Sequence, residues 1–321
     1  MRCIFCLDDD PDLVFTKEHV FPEAIGGRFS VQSVCKACND QLGSKVDCLL
    51  TEHVLIQVKR QALRLAGKTG RIPNLFERAT VGGNPGHRIV STLDAEGSLH
   101  LQTVRRVERS QKEGGVESVS ITADVSERDR LPEILNKILS RAGQPTQPPA
   151  EILSRARLVC TPHPRLERQF TVNDHDYKRC LLKIAFELAC RWLGDRYLDD
   201  PQADLLRHCI LSQELPTDEM ARMFFDRIDL HEDGGISRFW DHEEDSHLGM
   251  LLPLPKDPGG IAAYVRIFTA FEGTVLVSKC NAAERYPSFE SMFVSNPASG
   301  GDVRELRLSK EISRNRRTPS P

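Results

Sequence analysis

Cys3-Ile4-Phe5-Cys6 and Cys35-Lys36-Ala37-Cys38-Asn39 flank Thr16-Lys17-Glu18-His19-Val20-Phe21-Pro22, with Asp47 a little beyond. A Cys-x-x-Cys pair grips one side of a tetrahedral ion, and a second pair closes the site, so Cys3, Cys6, Cys35 and Cys38 read as ligands of one zinc. The 28 residues between the pairs are then tied into a loop with His19 near its middle. Four thiolates leave zinc no open position, so this zinc is structural and activates no water. Catalysis then falls to Glu18, His19 and Asn39. A neutral imidazole can take a proton from water near pH 7. A carboxylate and an amide oxygen are hard ligands suited to Mg²⁺ or Mn²⁺. Such an ion stabilises charge at a phosphorus under attack.

The local pattern places these residues. Leu13–Thr16 leads as a short strand into Glu18-His19, and Val20-Phe21-Pro22 continues and stops it. Glu23–Gly27 is a turn or short helical piece ended by glycines. Val31–Val34 alternates as a second strand, and the second cysteine pair opens a helix carrying Asn39. The expectation is a β-β-α unit stapled by metal. Gly43 marks a break, Ser44 is a plausible N-cap, and Val46, Leu49, Leu50, Val54, Val58, Ala62 and Leu65 lie at helical spacing to about Ala66.

From Cys3 to Asp47 the sequence resembles the HNH endonucleases, in the subfamily with a four-cysteine zinc frame. The match is C-x-x-C, then T-K-E-H-V-F-P-E-A-I-G-G, then V-C-K-A-C-N-D-Q-L-G-S-K-V-D. The resemblance implies a hydrolytic DNA endonuclease with His19 as general base. Glu18 and Asn39 would hold a catalytic Mg²⁺ or Mn²⁺, and the cysteines a structural Zn²⁺. The family's middle Asn falls on Ser30, nine positions before Asn39. A serine gives one hydrogen bond where an amide gives a pair. Glu23 reads as a loop-fixing residue and Asp47 as a helix-anchoring one. Lys17, Arg28, Lys36 and Lys45 form a set that could position a DNA backbone. Residues 1–60 carry seven basic and nine acidic side chains. Unaided DNA binding is therefore weak, and help must come from a partner, a second subunit of a homo-oligomer, or Arg105, Arg106 and Arg109. Some relatives in antiphage defence join an N-terminal HNH domain to a domain that binds cyclic oligonucleotides. Two alternatives thus stand beside the nuclease: an effector gated by a cyclic oligonucleotide, and a catalytically silent zinc-binding nucleic-acid adaptor, which Ser30 keeps open.

The whole chain sets the bounds. It has 321 residues, 28% of them charged, and a net charge of −3, so no global basic signature marks it for nucleic acid. Ten cysteines in a chain with no secretory pattern point to thiols kept reduced, and hence to the cytoplasm. No run approaches the ~20 apolar residues of a membrane helix, so no membrane partner is expected. The fold class is α+β: a zinc-stapled ββα-metal module over 1–50, a connecting helix over 51–69, a larger α+β domain over 70–312, and a disordered basic tail over 313–321.

Within the larger domain, Arg88–Leu93 and Leu99–Val104 flank a five-residue turn as a hairpin. Val116–Val125 alternates as a strand, and Arg130–Ala142 is an amphipathic helix. A Gln/Pro-rich linker follows at 143–149, then strands at Arg157–Thr161 and Gln169–Val172. Lys178–Leu193 is the strongest helix, with Leu181, Leu182, Ala185, Leu188, Ala189 and Trp192 as its buried stripe. Helices over Asp204–Leu211 and Thr217–Phe225 follow. The end is β-rich at Met250–Leu254, Ala262–Phe268 and Thr274–Ser278, with Glu272-Gly273 as a tight turn. Asp241–His247 reads as a solvated acidic loop.

Overall fold

The cysteine pairs bring together a hairpin of β1 (Phe15–His19) and β2 (Ser30–Cys35), as the alternation at 31–34 predicts. The computed structural model describes residues 1–77, 79–82, 84–94, 98–112, 115–141, 143, 145–155, 165–172, 176–212, 218, 222–225, 245–254, 260–279 and 282–308. Between the strands, Glu23–Ile25 makes one 3₁₀ turn, closed by Gly26 in the left-handed region at φ 85°. Helix α1 (Lys36–Leu42) starts at the end of β2 and carries Asn39.

The chain does not break at Gly43, which is helical at φ −58°. It runs through a π-type turn, Gly43–Asp47, into α2 (Cys48–Thr51). Ser44 does not cap: its hydroxyl donates back to the carbonyls of Asp40 and Gln41. The break comes at Glu52-His53, where the His53 ring accepts from the Leu55 N–H and opens α3 (Val54–Ala62). A ring nitrogen can cap a helix as an oxygen does, a possibility the usual N-cap residue list leaves out.

Residues 74–171 form one compact unit, and residues 1–73 with 172–321 form the other. The first holds a four-stranded sheet whose order is β5-β4-β3-β8, from β3 (Thr80–Val81), β4 (Asn84–Leu93), β5 (Leu99–Thr103) and β8 (Leu166–Glu167). Leu93 pairs with Leu99 across the expected hairpin turn. The strand near 116–125 is β7 (Gly115–Thr122), paired with β6 (Arg106–Lys112). Arg105 pairs with Glu127 and Arg106 with Glu108, so both are neutralised locally. Helices α4 (Leu131–Arg141) and α5 (Pro149–Arg155) complete the unit. Residues 169–172 are not a strand, and 157–161 lie outside the described residues.

The second unit resumes with α6 (Asp176–Leu193) and α7 (Pro201–Leu211), the latter capped by Asp200 with proline at its first position. An antiparallel six-stranded sheet follows, in the order β14-β13-β10-β11-β12-β9. Its strands are β9 (Phe224–Phe225), β10 (Ser246–Pro253), β11 (Ile261–Ile267), β12 (Phe271–Ser278), β13 (Met292–Pro297) and β14 (Arg304–Arg307). Phe224-Phe225, expected as helix, is an edge strand because β12 offers it a ladder. The turn between β11 and β12 lies at Phe268–Ala270, with Phe268 at φ 52°. Glu272 and Gly273 sit inside β12, where Gly273 faces Leu181 and Phe224. His247 begins β10 wholly buried rather than in a solvated loop. Residues 241–244, the basic tail, residue 217 and residues 219–221 fall outside the described residues.

One apolar core runs from the zinc-binding stretch through α6 to this sheet. Phe5 meets Phe186 with ring centroids 5.1 Å apart, and His247 stacks on Phe21 at 5.4 Å. The strands also clamp the loop after the 3₁₀ turn. Buried Asn296 accepts from the Arg28 and Phe29 N–H groups at 2.7 and 3.0 Å and donates to the Gly26 carbonyl at 3.0 Å. His247 Nε2 bonds the Ile25 carbonyl at 2.8 Å. A truncated Asn296 would strand two main-chain donors, each costing about 1–3 kcal/mol when buried. Asn296→Ala is therefore expected to lower unfolding free energy by about 2–5 kcal/mol in a urea titration, whereas loss of well under 1 kcal/mol would mean the clamp is idle.

Candidate active site and zinc site

The four thiols converge because β2 ends at Cys35 and α1 starts there, which swings Cys38 back over the N-terminal loop. The sulfurs of Cys3, Cys6, Cys35 and Cys38 all lie within 4.8 Å of one another. Among the described residues this is the one set of three or more metal-ligating side chains of the Cys, His, Asp and Glu types brought together. The Cys35 N–H donates to Cys3 Sγ at 3.4 Å. Burial, reinforced by the neighbouring Cys3, pushes the Cys38 thiol far up, and burial also raises Cys6. Such thiols become thiolates together only when a cation compensates them, which zinc does in displacing their protons. The donor set therefore fits Zn²⁺, and the eight described cysteines are all free of disulfides.

His19 ends β1, directly opposite Ser30 on β2. The ladder slips between Thr16 and Glu18, where β2 carries one extra residue: Gln32 and Ser33 together face Lys17, a bulge in the strand opposite the one that leads to the histidine. Asn39 braces β1 from α1: its Nδ2 donates to Thr16 Oγ1 and to the Lys17 carbonyl, both at 3.0 Å. The His19 side chain is 16% exposed, with Nδ1 3.7 Å from Glu23 Oε2. Burial, and then the charge of Lys17, hold the imidazole below the ordinary histidine value, against the opposing pull of Glu23. It is thus neutral at neutral pH. Glu23 Oε2 is shared with Lys68, also at 3.7 Å.

Glu18 is buried and does not face solvent. Its Oε1 meets Nζ of Lys183, a side chain of α6 with no exposure at all. The same ammonium donates to both Asp47 oxygens, at 3.0 and 3.2 Å, and to the His19 carbonyl at 3.0 Å. Glu187, one turn along α6, lies 3.8 Å away with neither carboxylate oxygen hydrogen-bonded. Burial alone would lower the Lys183 pKa, but Asp47, Glu187 and Glu18 outweigh it and keep the group charged. Burial raises Glu187 well above the ordinary carboxylate value and also raises Glu18, the latter opposed by Lys183. Three carboxyl groups thus face one ammonium, and burial disfavours the charged form of Glu187. Neither Lys183 nor Glu187 stands out in the sequence, where a Lys and Glu four apart on a helix read as a solvated pair. The available signal is the flanking Leu181-Leu182 and Ile184-Ala185-Phe186, which leaves these charges no wide polar face.

The four basic residues of the loop separate. Lys17 and Lys45 are exposed. Lys36 pairs with Asp40 on its own helix, and Arg28 donates to the Pro297 carbonyl at 2.9 Å.

A metal-stapled hairpin followed by a helix, with a neutral histidine at the end of the first strand and an amide docked beside it from the helix, defines a ββα-metal module. Residues 3–55 match the family model described as HNH endonuclease, a nuclease family acting on nucleic acid. No curated protein and no solved structure matches the chain. No helix among the described residues is long and apolar enough to cross a membrane.

Removing one partner of a buried ion cluster costs about 3–5 kcal/mol. Lys183→Met should lose that much in denaturant, and Glu187→Gln should lose nothing. The sign with pH follows from the raised Glu187 pKa. Protonated Glu187 favours the fold, and that contribution fades as pH climbs above the unfolded value of 4.5. The stability of Glu187→Gln relative to wild type should accordingly grow between pH 5 and pH 8; a constant difference would show that Glu187 does not titrate in the fold. Metal analysis should find one zinc per chain, and Cys35→Ser should lose it along with the hairpin's thermal stability.

Proposed function

We propose that the chain is a metal-dependent endonuclease that hydrolyses phosphodiester bonds of DNA, with His19 as general base. The observation that carries the reading is the docking of Asn39 onto Thr16 and Lys17 of β1 beside a neutral His19, within the segment that matches the HNH family. Water attacks phosphorus, His19 takes its proton, and the bond to the 3′-oxygen breaks. With Nδ1 turned to Glu23, Nε2 is the nitrogen that takes the proton.

Asn39 spends Nδ2 on Thr16 and Lys17, which leaves Oδ1 for a cation. Glu18 gives Oε1 to Lys183, which leaves Oε2. These two oxygens are the chain's ligands for Mg²⁺ or Mn²⁺ in this reading. When bound, such an ion supplies charge stabilisation for the pentavalent phosphate and the departing oxygen. Zinc would sit on Cys3, Cys6, Cys35 and Cys38 as a staple and take no part in proton transfer. Ser30, across the ladder from His19, and Asp47, held by Lys183, act as supports for the loop. Lys17 and Lys45, being exposed, are the loop lysines suited to backbone phosphates. A role in antiphage defence, and gating by a cyclic oligonucleotide, rest on the family resemblance.

Purified protein with Mg²⁺ or Mn²⁺ should nick or cut plasmid DNA, and His19→Ala should slow cleavage by about 10²–10⁴-fold, the usual contribution of a general base. Equal rates in the two proteins would overturn the assignment of His19. Cleavage seen only after cyclic oligonucleotides are added would establish gating.

A further inference from the structure

The family match ends at residue 55, and α3 ends at Ala62. The chain then reverses: Arg64 takes φ 57°, and Gly67–Thr69 forms a 3₁₀ turn with Gly67 at φ 64°. That turn lies against the 3₁₀ turn Glu23–Ile25 of the catalytic loop. A Cβ on Gly67 would come within 2.9 Å of the Ala24 Cα, a backbone atom that cannot step aside. Only glycine satisfies both the left-handed backbone and this approach.

The close approach delivers Lys68. Its Nζ lies 3.7 Å from Glu23 Oε2, the same oxygen that lies 3.7 Å from His19 Nδ1. Lys68 is 70% exposed, unlike Lys183, which is fully buried and committed to carboxylates. An exposed pair of this length is weakly held, and solvent screens it. The turn therefore gains little stability from the ion pair, yet its geometry places a loosely held ammonium beside the base. Lys17, two residues before His19 on β1, is the second exposed ammonium there. Two solvent-facing cations beside His19 make a surface for an anion.

We infer that Lys68, seated by Gly67, binds a backbone phosphate of DNA at the His19 site, with Glu23 holding the ammonium until the phosphate displaces it. The inference rests on the nuclease reading for the identity of the ligand. It adds a substrate-binding residue from outside the HNH match.

The probe is a short DNA duplex, measured by fluorescence anisotropy across a salt series in the His19→Ala background, where nothing is cut. Each phosphate contact contributes about 0.9 to the slope of log K against log salt. Adding Lys68→Ala should reduce that slope by about 0.9, and Lys68→Arg should restore it. In the protein with His19 intact, Lys68→Ala should lower kcat/KM for cleavage about tenfold. Gly67→Ala, which keeps the lysine but displaces the turn, should reproduce these losses with zinc content near wild type and some loss of melting temperature from the strained turn. An unchanged slope and cleavage rate in Lys68→Ala would overturn the proposal, as would failure of the duplex to bind. Cutting with a Lys68-independent slope would sink this inference and leave the nuclease reading standing. Binding with a Lys68-dependent slope but no cutting by the wild type would do the reverse.

Discussion

One ammonium group holds the loop around His19 to the rest of the unit. Lys183 reaches from α6 to the Glu18 carboxylate, to both oxygens of Asp47 and to the carbonyl of His19. Three segments far apart in sequence thereby share one buried charge. A buried ion cluster is a poor source of net stability compared with apolar packing, but it is selective in geometry. Leucine at 183 could fill the space, but it could not grip the main-chain carbonyl of His19. The apolar core, continuous from Phe5 to the six-stranded sheet, supplies bulk affinity between the segments, and the charge sets their register.

The site itself was largely readable in the linear sequence, because its parts are short-range. The paired cysteines, the strand ending at His19 and the helix bearing Asn39 all lie within residues 3–47, and turn chemistry and ligand spacing act on that scale. What could not be read is what approaches from elsewhere. Ser30 faces His19 because of strand register, and Glu18 is covered because α6 arrives over it. Asn296 and His247, which hold residues 25–29, come from strands more than two hundred residues away.

The same division explains the errors in local structure. Phe224-Phe225 carries helical spacing but finds an open strand edge, and tertiary pairing overrides local preference. Glu272-Gly273 looks like a turn, yet the glycine is needed inside β12 to admit Leu181 and Phe224. Gly43 looks like a stop, but nothing crowds it and the helix runs through. The first two failures lie where an apolar pair or a glycine answers to a distant neighbour, and the third where a glycine answers to none.

Residues 1–73 and 172–321 form one unit, with 74–171 between them in sequence. For a chain made from its N-terminus, this arrangement imposes an order of events. The cysteines and His19 leave the ribosome early, but Lys183 follows Asp47 by more than a hundred residues. At roughly 5–20 residues per second, that delay is on the order of ten seconds. During it the zinc loop can close, while Glu18 and Asp47 have no buried cation to meet and the apolar face of the hairpin has no α6 to cover it. The loop around His19 is thus left without its buried cation until the chain has passed through the whole intervening unit. Completion of this cluster is coupled to the synthesis of the polypeptide that follows.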